Sequence, residues 1–189
     1  RKLFESIIRD HIVHYFVVND LFSNKQYGFI KGRSTVLQLL RILDEWTEML
    51  DNGGQIDVIY TDFEKAFDRV PHHRLISKLR SYHINEDIIE WVKAYLKNRV
   101  QRVKINGTYS KWADVISGIP QGSILGPLLF IIYINELPDI CDSGLALFLY
   151  ADDAKIYKQI HNRLDKENLQ CDLNKFSIWA DNWLVKLNI

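Results

Sequence analysis

Three aspartates stand where two hydrophobic runs stop. Asp62 follows Val58-Ile59-Tyr60-Thr61, and Asp152-Asp153 follow Leu147-Phe148-Leu149-Tyr150. Short runs that are apolar, β-branched or aromatic read as buried strands, so each run would deliver its carboxylates at a strand end. Carboxylates gathered at one sheet edge repel one another and raise each other's pKa unless a cation neutralises them. Hard oxygen donors favour Mg²⁺ or Mn²⁺. A pair of such ions supports in-line phosphoryl transfer by activating an attacking hydroxyl and stabilising the leaving oxygen. A plainer reading competes at each position: Asp-Asp as a polar hairpin turn, and Asp62 as a loop or helix-cap residue.

Positioning the carboxylates falls to the elements around them. Leu3, Phe4, Ile7, Ile8, Ile12, Tyr15 and Phe16 fall on one stripe at helical spacing and predict a helix to about Asn19. Thr35 and Gln38 have capping-box spacing ahead of a second helix, with Val36, Leu39, Leu40, Leu43, Trp46 and Leu50 on its inner face until Asn52-Gly53-Gly54. A helix is expected after Pro71, and another capped by Asn85. Val100 to about Ile116 reads as a hairpin turning at Asn106-Gly107, with Val103 and Ile105 on one face and Arg102 and Lys104 on the other. Ser123 to Leu137 is apolar nearly all round and predicts a buried helix. Leu145–Tyr150 and Ala154–Tyr157 predict paired strands with Asp152-Asp153 at the turn, and Leu169, Leu173, Phe176, Ala180, Trp183 and Leu187 the seam of a last helix. The expected order is αα-β-αα-ββ-α-ββ-α, with four of five strands in adjacent pairs and no regular alternation with helices, so the expected class is α+β with a mainly antiparallel sheet.

Composition bounds the function classes. An apolar fraction of 47% over 189 residues suffices for a core, and only 9 glycines and 4 prolines argue against disordered or fibrous chains. No uninterrupted apolar run exceeds seven residues, against the ~18 to 20 a spanning helix needs, so a soluble chain is expected. Lysine plus arginine equals aspartate plus glutamate, 24 each, so distribution matters more than net charge. Trp91 to Ala113 holds six basic residues and no acid, whereas Glu136 to Asp153 holds five acids and no base. Cys141 and Cys171 lack the spacing of a zinc site or disulfide framework, which fits an intracellular, reducing setting. His72 and His73 follow Pro71 without metal-ligand spacing and read as helix-end or surface residues.

The motifs occur together and in order. Tyr150-Ala151-Asp152-Asp153, preceded by Ser117-Gly118-Ile119-Pro120-Gln121-Gly122-Ser123 and by Asp62-Phe63-Glu64-Lys65-Ala66-Phe67-Asp68, resembles the reverse transcriptases. Upstream, Gln26-Tyr27-Gly28-Phe29-Ile30-Lys31-Gly32-Arg33-Ser34-Thr35 resembles the fingers motif of non-LTR retrotransposons, most like the jockey-type elements, and of their group II intron relatives. The resemblance spans essentially the whole chain. It implies fingers-like helices over about residues 1–55, a polymerase palm over about 56–189 with a fingers-like insertion at about 72–116, and no thumb.

The resemblance implies an RNA-directed DNA polymerase that adds deoxynucleoside triphosphates to a DNA primer on an RNA template, with Asp62, Asp152 and Asp153 holding two Mg²⁺ or Mn²⁺ ions. Phe67 matches the bulky residue beneath the incoming sugar; core packing is its competing role. Gln121 and Gly122 match the loop that contacts nucleotide and template, and Tyr150 a residue beside the primer end. Lys31 and Arg33 are candidates for phosphate or template contact, and Arg102 and Lys104 for the backbone of a template–primer duplex; hydrated surface charges are the alternative for all four. An intron-type enzyme and a non-catalytic nucleic-acid-binding remnant of a decayed element remain as other readings. The expected setting is intracellular, cytoplasm and nucleus, with no membrane partner and an undetermined oligomeric state. Arg1 at the start and a single methionine, Met49, predict a fragment of a longer protein that would polymerise poorly by itself.

Overall fold

The computed structural model describes residues 2–141 and 144–188. Its helices are α1 (Lys2–Val18), α2 (Thr35–Asp51), α3 (Ala66–Arg69), α4 (His72–Ser81), α5 (Glu86–Leu96), α6 (Gly126–Tyr133) and α7 (Arg163–Asn182). The strands are β1 (Gln55–Thr61), β2 (Val100–Gln101), β3 (Lys104–Ile105), β4 (Thr108–Tyr109), β5 (Ala113–Asp114), β6 (Ala146–Tyr150) and β7 (Asp153–Ile160), and a 3₁₀ turn covers Leu137–Ile140. Every named ladder is antiparallel, giving the α+β class expected from the order of elements. Two compact units divide the chain: Arg1–His14 with Phe67–Tyr133, and Tyr15–Ala66 with Ile134–Ile189.

The second unit is built on the sheet β1-β7-β6. Alternation places Ala146, Phe148 and Tyr157 on one face, where they pack with Tyr27 and Ile42, and Trp46 meets the Tyr157 ring edge-on at 5.6 Å. Helix α7 packs against β7, with Phe176 stacked on Phe63 at 6.1 Å. Its N-terminus carries a full capping box, Asn162 with Asp165. The helix ends at Asn182, so Leu187 lies beyond it, in a bridge with Phe63.

Helix α2 turns a different face inward from the one expected. Gln38 and Ile42 are buried, while Val36, Leu39, Leu40, Leu43 and Leu50 are exposed. Polar bonds set this rotation: the Gln38 amide donates to the Leu149 carbonyl at 3.0 Å, and Glu45 accepts from the Tyr157 hydroxyl at 2.5 Å. Ser34, not Thr35, is the N-cap, its hydroxyl accepting from the Leu37 N–H.

In the first unit α6 is buried at every position but Pro127, as its all-round apolarity predicts, but it is shorter than expected. Helix α4 packs on it and α5 packs on α4, and Leu75, Leu79, Ile89 and Val92 of these two helices are fully buried. Glu5 of α1 is buried too, accepting from the Ile124 N–H at 3.0 Å and the Tyr95 hydroxyl at 3.3 Å. That polar anchor fixes the helix so that Ile12 is inside and Leu3, Phe4 and Ile7 of the expected stripe are exposed. The Asn106-Gly107 turn closes β3-β4 with positive φ at both residues, as a two-residue hairpin requires. The hairpin is two short ladders instead of one, and Val103 and Ile105 are as exposed as Arg102 and Lys104.

Candidate functional site

The last β1–β7 pair is Thr61 with Ala154, and the last β6–β7 pair is Tyr150 with Asp153. Asp62, the next residue after β1, therefore lies across the ladder from Asp153, and Asp152 sits in the adjoining turn. The two strand ends bring the three carboxylates to one corner of the sheet. The turn itself is Ala151-Asp152, not Asp152-Asp153, because Asp153 already belongs to β7. Ala151 adopts φ 55°, a conformation ordinarily left to glycine or asparagine.

Burial pushes the Asp152 carboxyl above its usual range, and the nearby Asp153 and Asp62 carboxylates push in the same direction. Asp62 is held from its other side by the chain leaving α7. The Asn188 side-chain amide donates to Asp62 Oδ2 at 3.4 Å, and its backbone N–H to the Asp62 carbonyl at 3.0 Å. Lys186 forms an ion pair with Glu64 at 2.9 Å. Asp62 and Asp153, with Tyr60, Tyr150, Gln38 and Lys155, line a cavity of about 510 Å³.

The donor set, hard carboxylate oxygens at one corner, suits Mg²⁺ or Mn²⁺. Among the described residues no three His, Cys, Asp or Glu side chains close around a single ion. This is compatible with Mg²⁺, which takes one or two carboxylates and completes its shell with water and substrate phosphate.

The other expected residues belong to separate surroundings. Phe67 is half-buried and stacks on Phe130 with ring centroids 4.6 Å apart. Its carbonyl accepts from the Ile119 N–H at 2.8 Å, so the segment holding Phe67 is laced to the Gly118–Gln121 loop. Gly118 permits that approach, since a Cβ there would lie 2.5 Å from the Asp68 carbonyl oxygen. Gln121 is exposed and donates to Asp68 Oδ1 at 3.1 Å, while Gly122 has open space around it and φ 71°. Arg99 reaches the carbonyls of Ser117 and Gly118 beside His72, so this member of the basic stretch braces a loop. His72, at the start of α4, donates from Nε2 to the Gly118 carbonyl at 2.9 Å. Burial and the neighbouring Arg99 charge hold its pKa below the ordinary histidine value.

Lys31 is exposed, whereas the Arg33 guanidinium donates to the Gln26 carbonyl at 2.6 Å and to the Ser23 carbonyl. The expected role of Arg33 on phosphate must share the side chain with this scaffold bond. Arg102 lies over the Tyr109 ring at 3.8 Å and the Trp112 ring at 4.4 Å, with Lys104 5.1 Å from Tyr109. No local sequence signal marks Gln26, which is wholly buried against the Ala151-Asp152 turn, or Asn188 on Asp62. Only the grouping of Gln26 with Tyr27-Gly28 in the resemblance marked it out.

An antiparallel sheet with an acid corner and helices packed on it has the layout of a polymerase-type palm. The chain belongs to the family "Reverse transcriptase (RNA-dependent DNA polymerase)", whose profile matches residues 1–189. It is 31% identical over 99% of its length to a probable RNA-directed DNA polymerase from transposon BS of Drosophila melanogaster, covering 21% of that protein. To the RNA-directed DNA polymerase from mobile element jockey of the same organism it is 28% identical, again over 99% of this chain and 21% of the relative. The chain thus spans about a fifth of the curated relatives it matches. A group II intron-encoded protein matches over 87% of the chain. Among solved structures, apo telomerase from Candida tropicalis superposes with a TM-score of 0.73 at 14% identity, over 97% of this chain and 35% of that one, a likeness of fold. Among the described residues no helix is long and apolar enough to cross a membrane.

Proposed function

We propose that this chain is the catalytic segment of an RNA-directed DNA polymerase of a non-LTR retrotransposon. The observation that carries the reading is the convergence of Asp62, Asp152 and Asp153 at one sheet corner. When bound, two divalent ions would activate the primer 3′-hydroxyl and stabilise the leaving pyrophosphate oxygen. The chain's own residues supply the rest. Asp62 and Asp152 hold the ions from two different strand ends, with Asp153 beside them, and Asn188 steadies Asp62. Tyr150 offers an aromatic wall at the primer end of the cavity, and Phe67, rigid against Phe130, limits space at the sugar. Gln121 and Gly122 contact nucleotide and template, and Lys31, Arg33, Arg102 and Lys104 the phosphate backbones. The partners in this reading are RNA template, DNA primer and deoxynucleoside triphosphates. The wider match to transposon relatives than to the intron-encoded protein favours the retrotransposon setting.

The test is primer extension on a homopolymer RNA template by the protein that carries this segment at its natural length. Extension that requires Mg²⁺ or Mn²⁺ and is lost on changing Asp62 or Asp152 to Asn is the expected result. Extension that survives both substitutions would sink the assignment.

A further inference from the structure

Among the described residues Gln26 is the one side-chain amide with no exposed surface. It sits beside β6, where the Tyr27 N–H donates to the Leu149 carbonyl at 2.8 Å and the Leu149 N–H to the Lys25 carbonyl at 2.9 Å. Its carboxamide reaches past the end of the strand to the turn. Gln26 Oε1 accepts from the Ala151 N–H at 2.9 Å and from the Gly28 N–H at 2.7 Å, and Nε2 donates to the Ala151 carbonyl at 3.3 Å. Both lone pairs of the oxygen are used, and both partners are N–H donors, so the orientation of the amide is fixed. Gly28 lies so close that a Cβ there would stand 2.3 Å from the Ala151 nitrogen. Gln26 is itself held from outside by Arg33 on its carbonyl.

This clamp grips a residue whose backbone needs one. Ala151 holds φ 55° without being glycine, a conformation that persists only where the surroundings over-determine it. Asp152 is the next residue, and the ψ of Ala151 decides where its carboxylate points. We propose that Gln26 is the positioning residue for Asp152, fixing the Ala151-Asp152 turn by gripping both backbone polar groups of Ala151 from a neighbouring segment. The inference rests on the polymerase reading above, since only there does the direction of Asp152 set a rate.

Three variants test it in the natural-length protein: Gln26→Met, which keeps length and removes all three bonds; Gln26→Glu, which keeps the acceptor oxygens and loses the donor; and Ala151→Gly, which takes positive φ freely. In Gln26→Met, amide hydrogen exchange at Ala151 and Gly28 should accelerate while the strands stay protected. Its kcat should fall about 10²-fold, as for a misplaced reacting group, with KM for deoxynucleotide and Kd for primer–template held within about twofold. Adding Ala151→Gly to Gln26→Met should recover part of kcat, which a merely structural role for Gln26 does not predict. Should Gln26→Met not fold, Gln26→Glu carries the same comparison, with partial loss of protection and of kcat.

Unchanged exchange at Ala151 in a folded variant, or faster exchange with unchanged kcat, would overturn the proposal. If the wild-type protein extends no primer, the polymerase reading fails instead, and exchange alone still decides whether Gln26 holds the turn.

Discussion

Asp152 and Phe67 each place one physical conflict in view. Asp152 is half-buried beside two other carboxylates, so its folded pKa lies above its unfolded one. The cost of holding it charged is absent at low pH, grows as pH rises through its titration, and is complete above it. Asp152→Asn should therefore leave the melting temperature at neutral pH unchanged or raised, with the difference from wild type closing as pH falls into the carboxylate range, while polymerisation is abolished. A melting temperature lowered at neutral pH would mean that Asp152 is stabilised as an anion by the chain itself. Phe67 packs on Phe130 and yet keeps one side open, so shortening it should do two things. Phe67→Val should cost about 1 to 3 kcal/mol, less than a full truncation of a buried ring, and should raise kcat/KM for ribonucleotides relative to deoxynucleotides. An unchanged ratio beside a lowered melting temperature would assign Phe67 to packing alone.

At the scale of elements, the strands are legible because they are short apolar, β-branched or aromatic runs whose ends carry charge, although β1 is half-buried and not the buried strand expected. The aspartates share one corner because Val58–Thr61 and Leu147–Tyr150 each pair antiparallel with β7 and so run parallel to each other, their C-terminal ends together. Helix faces were misjudged where a polar residue is the inward one: Glu5 in α1 and Gln38 in α2 are buried because each satisfies buried backbone or hydroxyl groups. Hydrophobic periodicity cannot see such a choice. The turn was misplaced by one residue for a similar reason, since Ala151 has no local turn signal and takes its conformation from Gln26, far away in sequence. The pairing of Glu64 with Lys186 and of Asp62 with Asn188 was invisible because α7 was expected to continue through Leu187. Gly28→Ala tests how closely segment 25–28 packs on that turn. Its Cβ would strike backbone, so a loss of about 1 to 3 kcal/mol is expected in thermal melting, together with lost polymerisation. Wild-type stability in that variant would show that the segment can shift away freely.

For the molecule as a whole, zero net charge hides an uneven distribution, with acids at the sheet corner and cations on the β2–β5 hairpins. Of that basic stretch, Arg99 is committed to loop carbonyls and Lys93 to Glu86 and Glu90, while Lys97, Arg102, Lys104 and Lys111 are exposed, and of these Arg102 and Lys104 lie just ahead of the hairpin turn as the candidates for phosphate. Replacing both by Ala should reduce the salt dependence of duplex binding, by close to one unit of log–log slope for each phosphate no longer neutralised. An unchanged slope would return the hairpin to an ordinary hydrated surface. The central claim is that three carboxylates from two strand ends hold the ions of phosphoryl transfer. Its most direct measurement is a Mn²⁺ titration followed by electron paramagnetic resonance, with primer–template and a non-reacting deoxynucleotide analogue present. The account predicts two bound ions in the wild-type, natural-length protein and fewer when Asp62 or Asp152 is changed to Asn; the same stoichiometry and affinity in those variants would contradict it.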